Sequence, residues 1–187
     1  YAAWVLTPVF ATFEEVPESV WIGFSPTSAD LGANADAWMA EGGDLNDEFN
    51  SVVKCGAHTM AGSREIRAYE NAGGAGIVQL SACTVKEGVS WAQVAKADQA
   101  WAEFMTENEL PGGIYRWGAG PGTARESKMD FYAVWITESL AQRGAAIDKF
   151  RTIEGAGQTY RNIYGDDNLY SCDNARIYHG VPVGGSD

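Results

Sequence analysis

SACTVKEGVSWAQVAKADQAWAEFMTENELPGG, residues 81–113, reads as the end of a strand, a loop, a capped helix and a stop. Ser90 followed by Gln93 is an S-x-x-Q capping box, in which each side chain satisfies a backbone N–H left free at the helix start. Val94, Ala97, Trp101, Phe104 and Met105 recur at steps of three and four, which places them on one face of a helix of roughly five turns. Asn108 and the Pro111-Gly112-Gly113 turn end it. Upstream, GIVQLSAC (76–83) is short, β-rich and bounded by glycines, so it is a strand. Downstream, GIYRWG (113–118) is a second strand. DFYAVWI (130–136) is a third, apolar on both faces and hence central. A helix carrying Leu140, Gly144 and Ile147 on one stripe and a last strand, ARIYHGV (175–181), complete the order β-α-β-β-α-β. That order predicts a ferredoxin-like unit, with two helices on one face of a four-stranded antiparallel sheet and the other face bare. Two such sheets can cover each other, as a dimer or within one chain.

The first 75 residues favour the single chain. WVLTP (Trp4 to Pro8) and WGAGP (Trp117 to Pro121) are both W-x-x-x-P. Trp21 follows Pro8 by 13 residues and Trp135 follows Pro121 by 14. GANADAW (32–38) and GAAIDKF (144–150) share G-A-x-x-D-x-aromatic, and Cys55 and Cys172 follow at 17 and 22 residues. Four landmarks in one order point to a tandem duplication. The expected fold is α+β: tandem ferredoxin-like modules whose antiparallel sheets form an intrachain dimeric α+β barrel. The first module covers 1–75 and lacks its first strand and helix, which are expected upstream of Tyr1; the second covers 76–187. On this reading Gly32 and Gly144 sit where a helix passes close to its sheet.

The β-α-β-β-α-β order, the repeated W-x-x-x-P and the CTVKEGVSWAQV entry (83–94) resemble the dimeric α+β barrel superfamily, especially ferredoxin-like proteins of marine bacteria and metagenomes. That resemblance implies a fold shared by cofactor-independent monooxygenases, haem-binding enzymes, isomerases and stress-response proteins. It does not choose among them.

Composition narrows the partners. In 187 residues, 25 acidic against 13 basic side chains give a net charge of -12, which repels nucleic acid and anionic membranes. No apolar run reaches the ~18 residues of a membrane span. Three cysteines, an odd count in a chain this long, predict reduced thiols and a cytoplasmic location rather than a disulfide framework, with Cys55 and Cys172 in matching packing slots. The chain is expected to be a monomer or a homodimer.

Few residues are candidates for chemistry. His58 and His179 are the only histidines, and the simpler reading of His58, in the Gly-rich CGAHTMAG (55–62), is a solvated loop residue. His179 alternates with Ile177 on a predicted strand, so it is a candidate base or axial haem ligand. No H-x-x-x-H, H-E-x-x-H or C-x-x-C spacing suggests a metal, and no cofactor is expected. GAGPGTARESK (118–128) lacks the G-K-[ST] of a phosphate loop and reads as a hairpin loop, and DLNDE (44–48) reads as a solvated acidic loop. Trp4, Trp21, Tyr115, Trp117 and Trp135, ordinary core residues on the simpler reading, are the candidate walls of a ligand pocket between the sheets, with His179 and Arg176 as its polar, catalytic groups. The function expected is small-molecule binding, with a cofactor-free oxygenase or isomerase as its enzymatic form; the alternative is a non-enzymatic interaction or assembly module. A cavity of at least about 300 Å³ with convergent polar groups would favour the ligand.

Overall fold

In a computed structural model the protein is described over residues 1–12 and 17–183. The first part of the chain forms β1 (Ala2–Phe10), β2 (Val20–Phe24), α1 (Ser28–Glu41), α2 (Gly43–Val52) and β3 (Gly62–Arg67). The rest forms β4 (Gly76–Val85), α3 (Trp91–Glu107), β5 (Gly113–Gly118), β6 (Phe131–Thr137), α4 (Leu140–Thr152), α5 (Ala156–Tyr164), β7 (Tyr170–Cys172) and β8 (Arg176–Val183). Helix α3 starts where its cap predicts: Ser90 Oγ accepts from Gln93 N–H, and Gln93 Oε1 accepts from Ser90 N–H.

The strands make one curled antiparallel sheet, a half-barrel, in the order β2-β1-β8-β4-β6-β5-β3. Strand β7 pairs with β4 beyond the end of β8, so the two share one edge of β4. Asp173 separates them by occupying Ala82: its N–H donates to Ala82 O, and its Oδ1 accepts from Ala82 N–H. Helices α3, α4 and α5 cover the convex face, where Met105, Leu110 and Ile114 are buried. The concave face holds Leu6, Val78, Leu80, Val134 and Tyr178.

This arrangement overturns the tandem ferredoxin-like barrel. Residues 1–75 do not build a sheet of their own. The β1–β2 hairpin extends one edge, with β1 paired to β8 from Ala3↔Val183 to Phe10↔Ile177, and β3 extends the opposite edge by pairing with β5. Exposed strand edges offer unpaired N–H and C=O groups, and the flanking strands take them up.

The repeated landmarks are not equivalent. Trp21 pairs with Val5, one residue after Trp4, whereas Trp135 pairs with Ile114, three before Trp117. Pro8 lies inside β1, past the last residue that β2 pairs, so its missing N–H costs no ladder bond on that side. Pro121 lies in the loop after β5. A Cβ on Gly32 or Gly144 would meet nothing within 4 Å, so neither marks a close helix–sheet approach. Helix α1 buries no residue and packs against α2.

Two further expectations change. DLNDE lies within α2 rather than in a loop, whereas 119–130 does join β5 to β6 as a loop. The reduced-thiol reading fails as well: Cys83 and Cys172 face each other across β4 and β7 and form a disulfide, while Cys55 is exposed and free. The bond links residues 89 apart in sequence, and only the placement of β7 brings them together. Titration with a thiol reagent is expected to give one reactive thiol in the native protein and three after reduction and denaturation; three in the native protein would contradict the bond.

Candidate functional site

The curl brings the two ends of the sheet towards each other. Phe24 of β2 packs edge-on against Trp4 of β1 at 5.7 Å and against Trp117 of β5 at 5.7 Å, bridging strands five positions apart. Behind this bridge lies a cavity of about 200 Å³. Gly76 and Gly180, directly paired across β4 and β8, form its bare floor. A Cβ at Gly180 would stand 2.9 Å from Leu6 Cδ2, and one at Gly76 would stand 3.3 Å from the Tyr69 hydroxyl. Glycine at both positions therefore keeps the space open.

The walls are apolar apart from a few hydrogen-bonding groups, and none of the described lining residues is charged. Trp4 Nε1 donates to Gly74 O at 3.2 Å, and Tyr69 N–H donates to Tyr115 Oη at 3.0 Å. Two wall residues keep a buried polar atom with no partner among the described residues, the Tyr69 hydroxyl and Trp117 Nε1. An orphaned buried group of this kind destabilises by about 1–3 kcal/mol. Burial raises the Tyr69 phenol above its ordinary value, with Glu138 adding to the rise. It raises Tyr115 too, partly countered by the Tyr69 amide. Both hydroxyls therefore keep their protons at neutral pH.

Of the five aromatic residues expected to wall a pocket, Trp4, Tyr115 and Trp117 do so. Trp21 points from β2 the other way, half-exposed, donating from Nε1 to Tyr1 Oη and packing on Phe49 of α2. Trp135 lies under the helices, its Nε1 donating to Pro111 O and the Arg143 guanidinium over its ring. His179 is exposed, one residue out of phase with Gly180 of the floor and so on the convex face. Arg176 shares a face with Tyr178 but binds Asp173 Oδ2 at 2.6 Å and is not a wall residue. The cavity thus takes neither of the two polar residues expected to serve it. Tyr69, its least predictable wall, comes from the loop between β3 and β4, where no periodicity marks it.

On the convex face sits a buried ionic cluster that the sequence reading passed over. Asp98 of α3 is 1% exposed and binds Arg116 of β5 at 2.6 Å and Arg64 of β3. Arg116 also donates to Tyr170 Oη at 3.1 Å and lies against the rings of Phe131 and Tyr170, while Tyr164 donates to Asp98 at 3.4 Å. The signal was present: Asp98 falls four residues after Val94 on the apolar stripe, and Arg116 alternates inward with Ile114. Burial pulls the Arg116 guanidinium down, yet Tyr170 and Asp98 outweigh it and hold the value above that of an ordinary arginine. Desolvation pushes the Tyr170 phenol up to about 12 from 10.0, against the pull of Arg116, and Tyr164 moves in the same direction.

These tyrosines set an alkaline limit. For Tyr170 a raised folded-state value means that its contribution is complete below pH 10 and is lost as pH rises from 10 to about 12. For Tyr170 the loss is about 2 kcal/mol, with its half-buried ring allowed for. Thermal melts across that window are expected to fall steeply for the native chain and less steeply for Tyr170→Phe. Parallel curves would show that Tyr170 is not the titrating group.

Among the described residues, no three His, Cys, Asp or Glu side chains are grouped to hold a metal ion, and no helix is long and apolar enough to cross a membrane. Comparison with protein-family models, curated proteins and solved structures finds no match.

Proposed function

We propose that the protein binds a small apolar or aromatic molecule in the hollow of its curled sheet. The observation that carries this reading is the uncharged cavity of about 200 Å³, kept open by the facing Gly76 and Gly180 and walled by Trp4, Phe24, Tyr115 and Trp117. Its volume falls below the ~300 Å³ of drug-sized sites, which sets the ligand at about one ring. An engineered apolar cavity of about 150 Å³ in another protein suffices for benzene. Haem, with four pyrrole rings, is too large. The enzymatic form of the reading, a cofactor-free oxygenase or isomerase, gains less support, because the described walls offer no base other than tyrosine and serine hydroxyls.

The test is a thermal-shift series with single-ring compounds. A ligand at about 100 times its Kd adds about 2.7 kcal/mol, a rise of roughly 5–10 °C for a chain of this size. Gly180→Val, which puts methyl groups against Leu6, is expected to abolish the rise. No shift with any single-ring compound would sink the reading.

A second reading, a self-association module, is favoured by Trp38, Met39, Leu45 and Val52 of α1 and α2, all large, apolar and exposed beside the edge strand β2. We place a second copy there, as a homodimer; sedimentation that stays monomeric at every concentration removes it. As to compartment, the Cys83–Cys172 bond supports an oxidising one over the cytoplasm.

A further inference from the structure

We infer that the cavity ligand is a single-ring hydrocarbon and that the site discriminates against oxygenated analogues of the same size; this rests on the binding reading above. The polar atoms of the walls are already occupied or turned away. Trp4 Nε1 donates to Gly74 O, and the Tyr115 oxygen accepts from Tyr69 N–H, with Glu65 directly opposite Tyr115 on β3. Trp117 Nε1 and the Tyr69 hydroxyl are buried and present almost no surface to a ligand. The floor is no more polar. Leu6, Gly180 and Val78 each lie between two paired strands, so the backbone N–H and C=O groups there serve the ladders. One wall hydroxyl is left, that of Ser63, and it sits exposed on the edge strand β3, at the rim and within reach of water.

A hydroxyl or carbonyl carried into the hollow therefore gives up its water and gains no partner, which costs affinity. A methyl or methylene in the same place gains by leaving water. Charge acts in the same direction. No lysine, arginine, histidine or acid is among the described wall residues, so a carboxylate would enter without a counter-ion, and the net charge of -12 repels it on approach.

The experiment is calorimetric titration of the whole chain with three probes of similar size: ethylbenzene, benzyl alcohol and benzoate. Ethylbenzene is expected to bind about tenfold or more tightly than benzyl alcohol, and benzoate to give no measurable heat of binding. Gly180→Val, which fills the hollow, should abolish ethylbenzene binding. Val78→Thr adds one hydroxyl to the floor with little change of shape, and in it the ratio of ethylbenzene to benzyl alcohol affinity should fall. If that variant does not fold, Ile22→Thr on the edge strand β2 carries the same comparison. Benzyl alcohol or benzoate binding as tightly as ethylbenzene in the native protein overturns the hydrocarbon inference while leaving the cavity reading intact. A ratio unchanged in a folded threonine variant overturns it as well, because the preference would then come from the probes' solubility in water and not from the site. Failure of both neutral probes to bind, or ethylbenzene binding that survives Gly180→Val, overturns the cavity reading itself.

Discussion

Asp98→Ala is expected to destabilise the protein by about 3–5 kcal/mol, because it leaves Arg116 charged in a site where its side chain is only 8% exposed. Arg116 already has a buried Nε without a partner, and its remaining neighbours, the Phe131 and Tyr170 rings, cannot neutralise it. Arg64 suffers less, since its side chain is 42% exposed and can turn to water. The melting temperature should fall by roughly 6–20 °C. The double variant Asp98→Leu/Arg116→Met removes both charges and fills the space, and it is expected to recover most of the loss, as buried pairs replaced by apolar residues commonly do. Urea unfolding of the three proteins measures both effects. An Asp98→Ala protein within about 1 kcal/mol of the native chain would mean that water reaches Arg116.

Removing the Cys83–Cys172 bond, by reduction or by Cys83→Ala/Cys172→Ala, is expected to lower stability by about 2–4 kcal/mol. The chain-entropy limit is about 4.6 kcal/mol for a separation of 89 residues. The local consequence is more specific. Strand β7 is three residues long and pairs only with β4, so the bond tethers the segment that carries Tyr170 onto Arg116. Reduction should therefore weaken the ionic cluster as well, and the effects of reduction and of Tyr170→Phe should be less than additive. Hydrogen exchange should quicken first in 170–172 and at Lys86, whose N–H donates to Leu169 O just before β7. A reduced protein with unchanged stability and unchanged exchange in β7 would show that the strand holds without its tether.

The concave site was partly legible. Period-two alternation put Tyr115 with Trp117 on one face, and both face the cavity. The same rule could not tell which face the helices would cover. Matched spacing pairs Trp21 and Trp135 with Trp4 and Trp117, yet they stand on the opposite face, where Trp135 belongs to the helix-covered core. His179 and Arg176 have the chemistry a polar site needs, but neither lines the cavity. The polar side chains along the cavity are instead those of Ser63, Tyr69 and Tyr115, with the indoles of Trp4 and Trp117.

Local structure could be read from the residues alone. The capping box set the start of α3, the Pro-Gly-Gly turn set its end, and the apolar runs at 76–83, 113–118, 130–136 and 175–181 became β4, β5, β6 and β8 because propensity and burial act within each segment. Pairing came from the packed fold: β1 on β8, β3 on β5, Cys83 with Cys172, and Asp98 with Arg116. Backbone ladder bonds are alike whichever residues carry them, so a strand's sequence marks it as a strand without naming its partner. That choice falls to whichever edge is left open once the rest of the sheet and its helices have packed.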